Sequence, residues 1–229
     1  MSRPVNGVAT VKDEPMRTTN VQDQVLRAAL DLFSTRGYAT TSVQEIVAAA
    51  GVTKGAMYHY FASKDDLLFA IYDRLLSLQK ARLDEIVATG AARGDDVEQV
   101  LRAVCVDVVS TSIEFLPEGT VFTRSQHMLT AERQAEVKRR RRVYHEEFGA
   151  LLRRGSQEGV FRDDVPTAML IAHFFSDVHY LSQWYSPAGP LTASQVAEQL
   201  TELFLRSITS TSTSTSTSTS TSTRAAGKD

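Results

Sequence analysis

Apolar residues recur every three or four positions along most of the chain between residues 21 and 208. This is the period of an α-helix that buries one face. No stretch alternates apolar and polar residues in the way that a half-buried β-strand requires. The pattern predicts an all-α fold of about nine helices, the first three short and the later ones long enough to pack as a bundle. The first stripe shows the spacing: Val21, Val25, Ala28, Ala29, Leu32 and Phe33.

The second and third predicted helices are short and closely spaced. Ser42 and Glu45 form the capping box that begins a helix, and Gly51 ends it. Thr53 then caps a third helix that extends to about Tyr60. This is the spacing of a helix-turn-helix, in which the first helix supports a second one that enters the major groove of DNA. The alternative is a short core helix with solvent-facing residues, because such a turn also arises by chance.

The overall charge is too low for a protein that binds nucleic acid over its whole surface. The chain has 25 Lys and Arg against 27 Asp and Glu, a formal net charge of -2. Residues 1–64 hold seven basic and five acidic residues. A surface for DNA phosphates must therefore be local, and this N-terminal part is the better candidate.

The cysteine content and the apolar stretches restrict the class of protein further. Cys105 is the single cysteine, which excludes an intramolecular disulfide and a cysteine-rich zinc site. It lies within an apolar stripe, where we expect a small buried hydrophobe. The longest apolar stretch is far shorter than the roughly 20 residues that span a bilayer, and no secretory signal is evident. We expect a cytoplasmic protein without a membrane partner.

The two ends of the chain have no pattern that could bury apolar surface. Residues 1–17 mix proline, glycine and charge without a period, and residues 210–223 alternate serine and threonine. We expect a disordered arm at 1–17 and a disordered tail at 210–229. Between them we expect a DNA-binding domain at 18–64 and a larger helical domain at 65–209.

An ordered set of residues from Phe33 to Leu67 carries more information than the helical period. A phenylalanine, a glycine turn, a Thr-Ser pair, an I-x-x-x-A-G-V segment and a G-x-x-Y-x-Y-F-x-x-K-x-x-L segment follow one another. This order resembles the DNA-binding domain of TetR-family transcriptional repressors, with Val47 where the family often has alanine. The resemblance implies a helix-turn-helix domain followed by a helical domain for ligand binding and dimerisation. The matching residues are Phe33, Gly37, Thr41, Ser42, Ile46, Ala50, Gly51, Val52, Gly55, Tyr58, Tyr60, Phe61, Lys64 and Leu67.

The resemblance also implies roles at the start of each short helix. Thr41 and Ser42 would hold backbone phosphates of the DNA. Thr53, Lys54 and Gly55 would face the edges of the bases, with Lys54 as a donor to guanine.

Further contacts are implied toward the end of the motif. Tyr58, His59 and Lys64 would contact phosphates and fix the position of the protein along the duplex. Tyr60 and Phe61 would pack between the third and fourth helices.

The larger domain is expected to hold an inducer in an apolar pocket with a few polar groups. The opposite interpretation is that the aromatic residues of this domain form a solid core. We predict a large hydrophobic ligand, an acyl-CoA thioester, and the alternative is a cationic or aromatic drug of an efflux-type regulator. The expected pocket residues are Phe122, Arg124, His127, Tyr144, Phe148, His173, Phe174 and Trp184.

A loop near the C-terminus also bears on the class of ligand that the protein binds. The segment from Trp184 to Thr192 resembles loops of a TetR subgroup that controls fatty-acid, acyl-CoA or steroid catabolism. The alternative is a loop held by an aromatic staple. Both interpretations stay open at this point.

The resemblance implies a homodimer that binds a palindromic operator in double-stranded DNA. The last two helices of each chain would form a four-helix interface, and Val196, Leu200, Leu203 and Phe204 share the apolar face expected there. Ligand binding would favour a conformer whose recognition helices no longer fit successive major grooves.

Other functions have weaker support in the sequence. The five histidines form no recognisable metal motif, and no nucleophile–base pair or phosphate loop is present, so neither a metal, a cofactor nor an enzyme is expected. A helical adaptor without DNA binding is a third possibility. The basic run Lys138–Arg142 is either a solvated face paired with nearby glutamates or a site for an anionic ligand, such as the phosphates of coenzyme A.

Overall fold

The computed structural model describes residues 20–210, and this part of the chain is all-α, as the helical period predicts. Within it, no helix is both long and apolar enough to cross a bilayer. The expected arm at 1–17, and the expected tail apart from Ser210, lie outside the described residues. Nine α-helices and a 3₁₀ turn at Gln126–Met128 make up this region: α1 Val21–Arg36, α2 Val43–Ala50, α3 Lys54–Tyr60, α4 Lys64–Arg93, α5 Val97–Glu114, α6 Leu116–Ser125, α7 Ala131–Gln157, α8 Thr167–Trp184 and α9 Ala193–Ile208.

The short N-terminal helices begin and end where their capping residues predict. The Ser42 hydroxyl accepts a hydrogen bond from the Glu45 amide, and the Glu45 carboxylate accepts one from the Ser42 amide, which completes the capping box. Gly51 ends α2 with φ +66°, a left-handed conformation that a side chain would strain. Thr53 caps α3 by accepting from the Ala56 amide. The tight turn between α2 and α3 is therefore fixed by local hydrogen bonds.

Two apolar cores are joined by α4. The N-terminal core packs α1, α2 and α3 against the first turns of α4, around Ala29, Ile46 and Met57. The second core surrounds α5 and includes the buried Cys105. Because α6 and the start of α7 pack on the first core, α4 has neighbours from both parts of the chain. The boundary expected between 64 and 65 stays a prediction, since α4 runs from Lys64 to Arg93 without a break.

Helices α4 and α7 lie side by side and run in the same direction. Three ion pairs join them, and each is seven residues beyond the previous one on both helices. Spacing of seven residues returns to nearly the same helix face, so the three pairs form one ladder. The pairs are Asp66–Arg133, Asp73–Arg140 and Lys80–Glu147.

Candidate DNA-binding surface and ligand cavity

Helix α3 presents a polar face to solvent. Met57 is fully buried and anchors the helix on the N-terminal core, whereas Lys54, Gly55, Tyr58 and His59 are exposed. A helix held by one apolar residue, with short and polar side chains opposite, can enter a major groove without unfolding its domain. These four residues therefore lie where the resemblance requires, and their contacts with DNA stay a prediction.

Ser42 and Thr53 lie at the N-termini of α2 and α3, and both are exposed. The Ser42 hydroxyl donates to the Glu45 carboxylate at 2.8 Å, and Thr53 accepts from the Ala56 amide at 3.1 Å. Arg36 on α1 pairs with the same Glu45 at 3.1 Å, so α1 and α2 are tied together at this point. The phosphate contact of Ser42 and the contact of Thr53 with the base edges stay predictions.

Thr41 and Lys64, both expected to contact phosphates, have hydrogen-bond partners within the domain. Thr41 is 1% exposed, and its hydroxyl donates to the Gly37 carbonyl at 2.8 Å. The Lys64 ammonium donates to the carbonyls of Tyr38 and Thr41 at 2.8 and 2.9 Å and lies over the Tyr38 ring. Desolvation lowers the pKa of Lys64. Both side chains hold the loop between α1 and α2. The expected phosphate contact of the buried Thr41 is therefore corrected, and for the partly exposed Lys64 the structure favours this role over the expected phosphate contact.

The two aromatic residues at the end of α3 differ from each other. Phe61 is buried, as expected. Tyr60 is 44% exposed and packs edge-on against His59, so the expectation that it lies between helices is wrong. The exposed Tyr60 hydroxyl adds a polar group near the recognition face that sequence analysis missed.

A cavity of about 210 Å³ lies in the larger domain between α4, α6 and α8, and α5 and α7 contribute Ser112 and Arg141 to its wall. Its apolar wall includes Tyr72 and Phe122, whose rings stack almost parallel. Burial raises the pKa of Tyr72 to about 12, so this phenol stays neutral. The lining residues are Tyr72, Gln79, Ser112, Phe115, Leu116, Gly119, Phe122, Thr123, Gln126, Arg141, Val178, His179, Leu181 and Ser182.

Three polar groups of the cavity wall have chemistry that could hold a ligand. Arg141 lies 3.1 Å from Nε2 of His179. Because a guanidinium can only donate, Nε2 accepts and the imidazole is neutral. Desolvation and the Arg141 charge lower the pKa of His179 to about 4. The Ser182 hydroxyl is buried and has no hydrogen-bond partner among the described residues.

Only Phe122 of the eight expected pocket residues lines this cavity. Phe148 is fully buried, stacks on Phe174 with ring centroids 5.2 Å apart, and packs near Tyr144 in the solid second core. These three are corrected to core residues, because a helical stripe has the same period whether it faces a cavity or other side chains. The remaining four are exposed and do not line the cavity, which also corrects their expected role: Arg124, His127, His173 and Trp184.

The expected dimer residues on α9 point in different directions. Val196 and Phe204 are 2% and 3% exposed and belong to the core of their own chain, so their role in a dimer face is corrected. The stripe that contains them packs on α5 instead. Leu200 is partly buried against the same core, whereas Leu203 is 66% exposed.

An exposed apolar face remains on the outer side of α8 and α9. Tyr180 is 67% exposed and Met169 is 63% exposed, at a spacing of eleven residues that returns to one side of α8. Trp184 lies four residues beyond Tyr180 and is half exposed. We refer to these side chains, together with the exposed Leu203 on α9, as the outer apolar face. Large exposed apolar residues of this kind are candidates for an interaction surface.

No group of three or more histidine, cysteine or acidic side chains is placed to hold a metal ion in the region 20–210. Burial raises the pKa of the Cys105 thiol well above its ordinary value, so this thiol is a poor nucleophile.

Family comparisons agree with this arrangement. The sequence model for bacterial regulatory proteins of the tetR family matches residues 25–71, and the model for the tetracyclin repressor-like C-terminal domain matches residues 94–208. The HTH-type transcriptional repressor KstR2 of Mycobacterium tuberculosis is 29% identical over 81% of this chain and 92% of its own length. These relatives are regulators and not enzymes.

Solved structures show the same fold. The ketosteroid transcriptional regulator KstR2 of M. tuberculosis aligns with a TM-score of 0.73 and 25% identity, over 83% of this chain and 95% of that chain. PfmR of Thermus thermophilus aligns with a TM-score of 0.72 and 30% identity, over 80% and 98%. AibR in complex with isovaleryl coenzyme A and operator DNA aligns with a TM-score of 0.68 and 27% identity, over 80% and 97%. The chain belongs to the TetR family and is a helix-turn-helix, DNA-binding transcriptional regulator.

Proposed function

We propose that this regulator is a homodimeric, cytoplasmic repressor that binds a palindromic operator and is released by an acyl thioester bound in the cavity. The observation that carries the proposal is the path of α4. This helix begins beside α3, at Lys64, and its residues Tyr72 and Gln79 line the cavity. Eight and fifteen residues of helix separate these side chains from Lys64, or about 12 and 22 Å.

The path of α4 suggests how a ligand would change DNA binding. A ligand that displaces the stacked Tyr72 and Phe122 rings would favour a different position of α4. Lys64 would transmit that position to the loop before α2 through its two carbonyl bonds. To shift the DNA-bound population a hundredfold, the ligand must prefer the released conformer by about 2.7 kcal/mol.

The cavity itself favours one class of inducer. Its volume of about 210 Å³ is below the roughly 300–1,000 Å³ of sites for drug-sized ligands. This supports a short acyl group in place of the large hydrophobic inducer expected from the sequence. Its lining residues include Arg141 and no carboxylate, which disfavours the cationic drugs of an efflux regulator. The likeness to AibR, whose structure contains isovaleryl coenzyme A, supports the same class.

The outer apolar face is the surface that we propose for the homodimer. Its residues come from α8 and α9, the helices expected to form a four-helix interface. A two-fold contact uses the same patch on both chains, so a self-complementary apolar face is suited to it.

Gly119 offers a test of the cavity's role. It lines the cavity, and a Cβ placed on it would meet no atom within 4 Å. The Gly119→Leu variant should fill part of the cavity, keep its helix and bind operator DNA like the wild type. It should need at least tenfold more short-chain acyl-CoA for release in a fluorescence-anisotropy titration. Wild-type sensitivity in this variant, or release of the wild type by cationic drugs alone, would refute the ligand assignment.

A further inference from the structure

A basic groove lies between α7 and α8, outside the cavity. It has a volume of about 480 Å³ and is lined on its α7 side by four cationic side chains and one histidine. Thr167, Ala168 and Ile171 of α8 form the opposite side. The α7 residues with basic character are Lys138, Arg141, Arg142, His145 and Arg153.

The basic run of α7 divides into two sides. Arg139 and Arg140 pair with Glu136, and Arg140 also reaches Asp73, so these two cations are neutralised away from the groove. On the groove side, Glu146 is the one lining carboxylate, and it pairs with Arg142 at 2.7 Å. The groove thus retains a cationic excess.

Three groove cations have no carboxylate within ion-pair distance among residues 20–210: Lys138, Arg141 and Arg153. Holding several cations near one another without counter-charges is unfavourable, and an anion in the groove would relieve the repulsion. The start of α8 adds to the positive electrostatic potential of the groove. Pro166 precedes the helix and no side chain caps it, so the first amide groups of α8 lack a side-chain acceptor.

Arg141 connects the groove with the cavity, because its side chain lines both. The unpartnered, buried Ser182 hydroxyl lies in the cavity wall. A ligand that spans the two sites would place an apolar group against Phe122, a polar atom near Ser182 or Arg141, and anionic groups farther along α7.

We propose that the basic groove binds the phosphate groups of a coenzyme A-type thioester whose acyl group occupies the cavity. The choice of this ligand rests on the proposed function. Lys138 and Arg153 lie fifteen residues apart on α7, about 22 Å along the helix axis. That length suits an extended carrier with several phosphates better than a single small anion.

The position of the groove argues against DNA as its occupant. Arg133, on the turn of α7 that contacts the start of α4, is already paired with Asp66 at 2.9 Å. From there α7 runs parallel to α4 and away from the helix-turn-helix. The groove residues follow 5 to 20 positions later, about 8 to 30 Å farther along the helix.

The test compares a groove variant with a matched variant of the same basic run. Binding of free coenzyme A to the full-length protein is measured by calorimetry for the wild type, for Lys138→Ala/Arg153→Ala and for Arg139→Ala. We expect binding at least tenfold weaker in the groove variant and unchanged in Arg139→Ala, whose cation pairs with Glu136 outside the groove. An acyl-pantetheine thioester, which lacks the phosphates, should bind all three proteins equally.

Two results would overturn the proposal: no binding of coenzyme A to the wild type, or equal weakening in Arg139→Ala and the groove variant. The second result would indicate nonspecific attraction to a basic surface. Release of operator DNA by the acyl-pantetheine thioester is measured on the same proteins. It tests the proposed function separately, because an acyl group could act through the cavity even if the groove binds nothing.

Discussion

Oδ1 of Asp73 on α4 lies 2.7 Å from Nη1 of Arg140 on α7, at the middle of the ion-pair ladder that joins these helices. The next pair along the ladder reverses the order of charge, with Lys80 on α4 and Glu147 on α7, 3.2 Å apart. If α7 slipped by one heptad, Asp73 would face Glu147 and repel it. The reversal therefore favours one register between the helix that contacts the cavity and the helix that lines the basic groove.

This ladder predicts a charge-swap result. Asp73→Arg should lower the free energy of unfolding by about 1–2 kcal/mol, because two cations would meet in a partly buried position. Adding Arg140→Asp should recover most of the lost free energy of unfolding. As a control, Arg142→Ala removes an exposed pair within α7 and should cost less than about 0.5 kcal/mol. Chemical denaturation of the four proteins measures these values, and a double variant no more stable than Asp73→Arg would contradict the account.

Lys64 should be important for stability rather than for contact with phosphate. Lys64→Ala leaves the carbonyls of Tyr38 and Thr41 without their charged donor, and we expect a loss of about 1–3 kcal/mol in unfolding free energy. The salt dependence of operator binding should keep its slope, since no phosphate contact is lost. Lys54→Ala should do the reverse, with weaker operator binding and unchanged stability. A stable Lys64→Ala protein with a reduced salt slope would restore the phosphate contact expected from the sequence.

Two neighbouring residues of α9 should respond differently to the same substitution. Leu203→Glu places a charge on the outer apolar face and should give a folded monomer. Phe204→Glu buries a charge among aromatic rings and should unfold the chain, a cost of several kcal/mol. Sedimentation velocity and circular dichroism together separate the outcomes. A Leu203→Glu protein that remains a dimer at micromolar concentration would show that the interface lies elsewhere.

Stability should decrease in mild acid through His145. Desolvation and the nearby Arg141 lower its pKa to about 4 in the folded chain, against about 6.5 in the unfolded chain. The neutral ring therefore stabilises the fold fully above pH 6.5, and this contribution is lost as the pH falls toward 4. The wild type should be less stable at pH 5 than at pH 7, by a difference that His145→Gln reduces. An identical pH dependence in both proteins would exclude this cause.

The helix-turn-helix could be predicted from the sequence because its determinants are local. The capping box at Ser42, the turn at Gly51 and the cap at Thr53 involve residues at most four positions apart. The role of Lys64 could not be predicted in the same way. Its partners, the carbonyls of Tyr38 and Thr41, come from 26 and 23 positions away.

The cavity and the dimer face were predicted less well for a different reason. Helical period identifies an apolar face but not the surface that covers it. Phe148 and Phe204 therefore had the same signature as pocket or interface residues, although both pack inside their own chain. Arg141 belongs to a charged run, and only the packing of α7 beside α8 shows that it reaches the cavity.

The central claim, that α3 binds an inverted repeat as part of a dimer, can be tested by selection from a random DNA library. The full-length protein should enrich a palindrome with half-sites about one helical turn, or 10 base pairs, apart. The Tyr58→Phe/Lys54→Ala double variant should bind the enriched DNA at least tenfold more weakly. It should also be less selective for the base at one position per half-site. Enrichment of no symmetric sequence, or equal binding by this variant, would contradict the account.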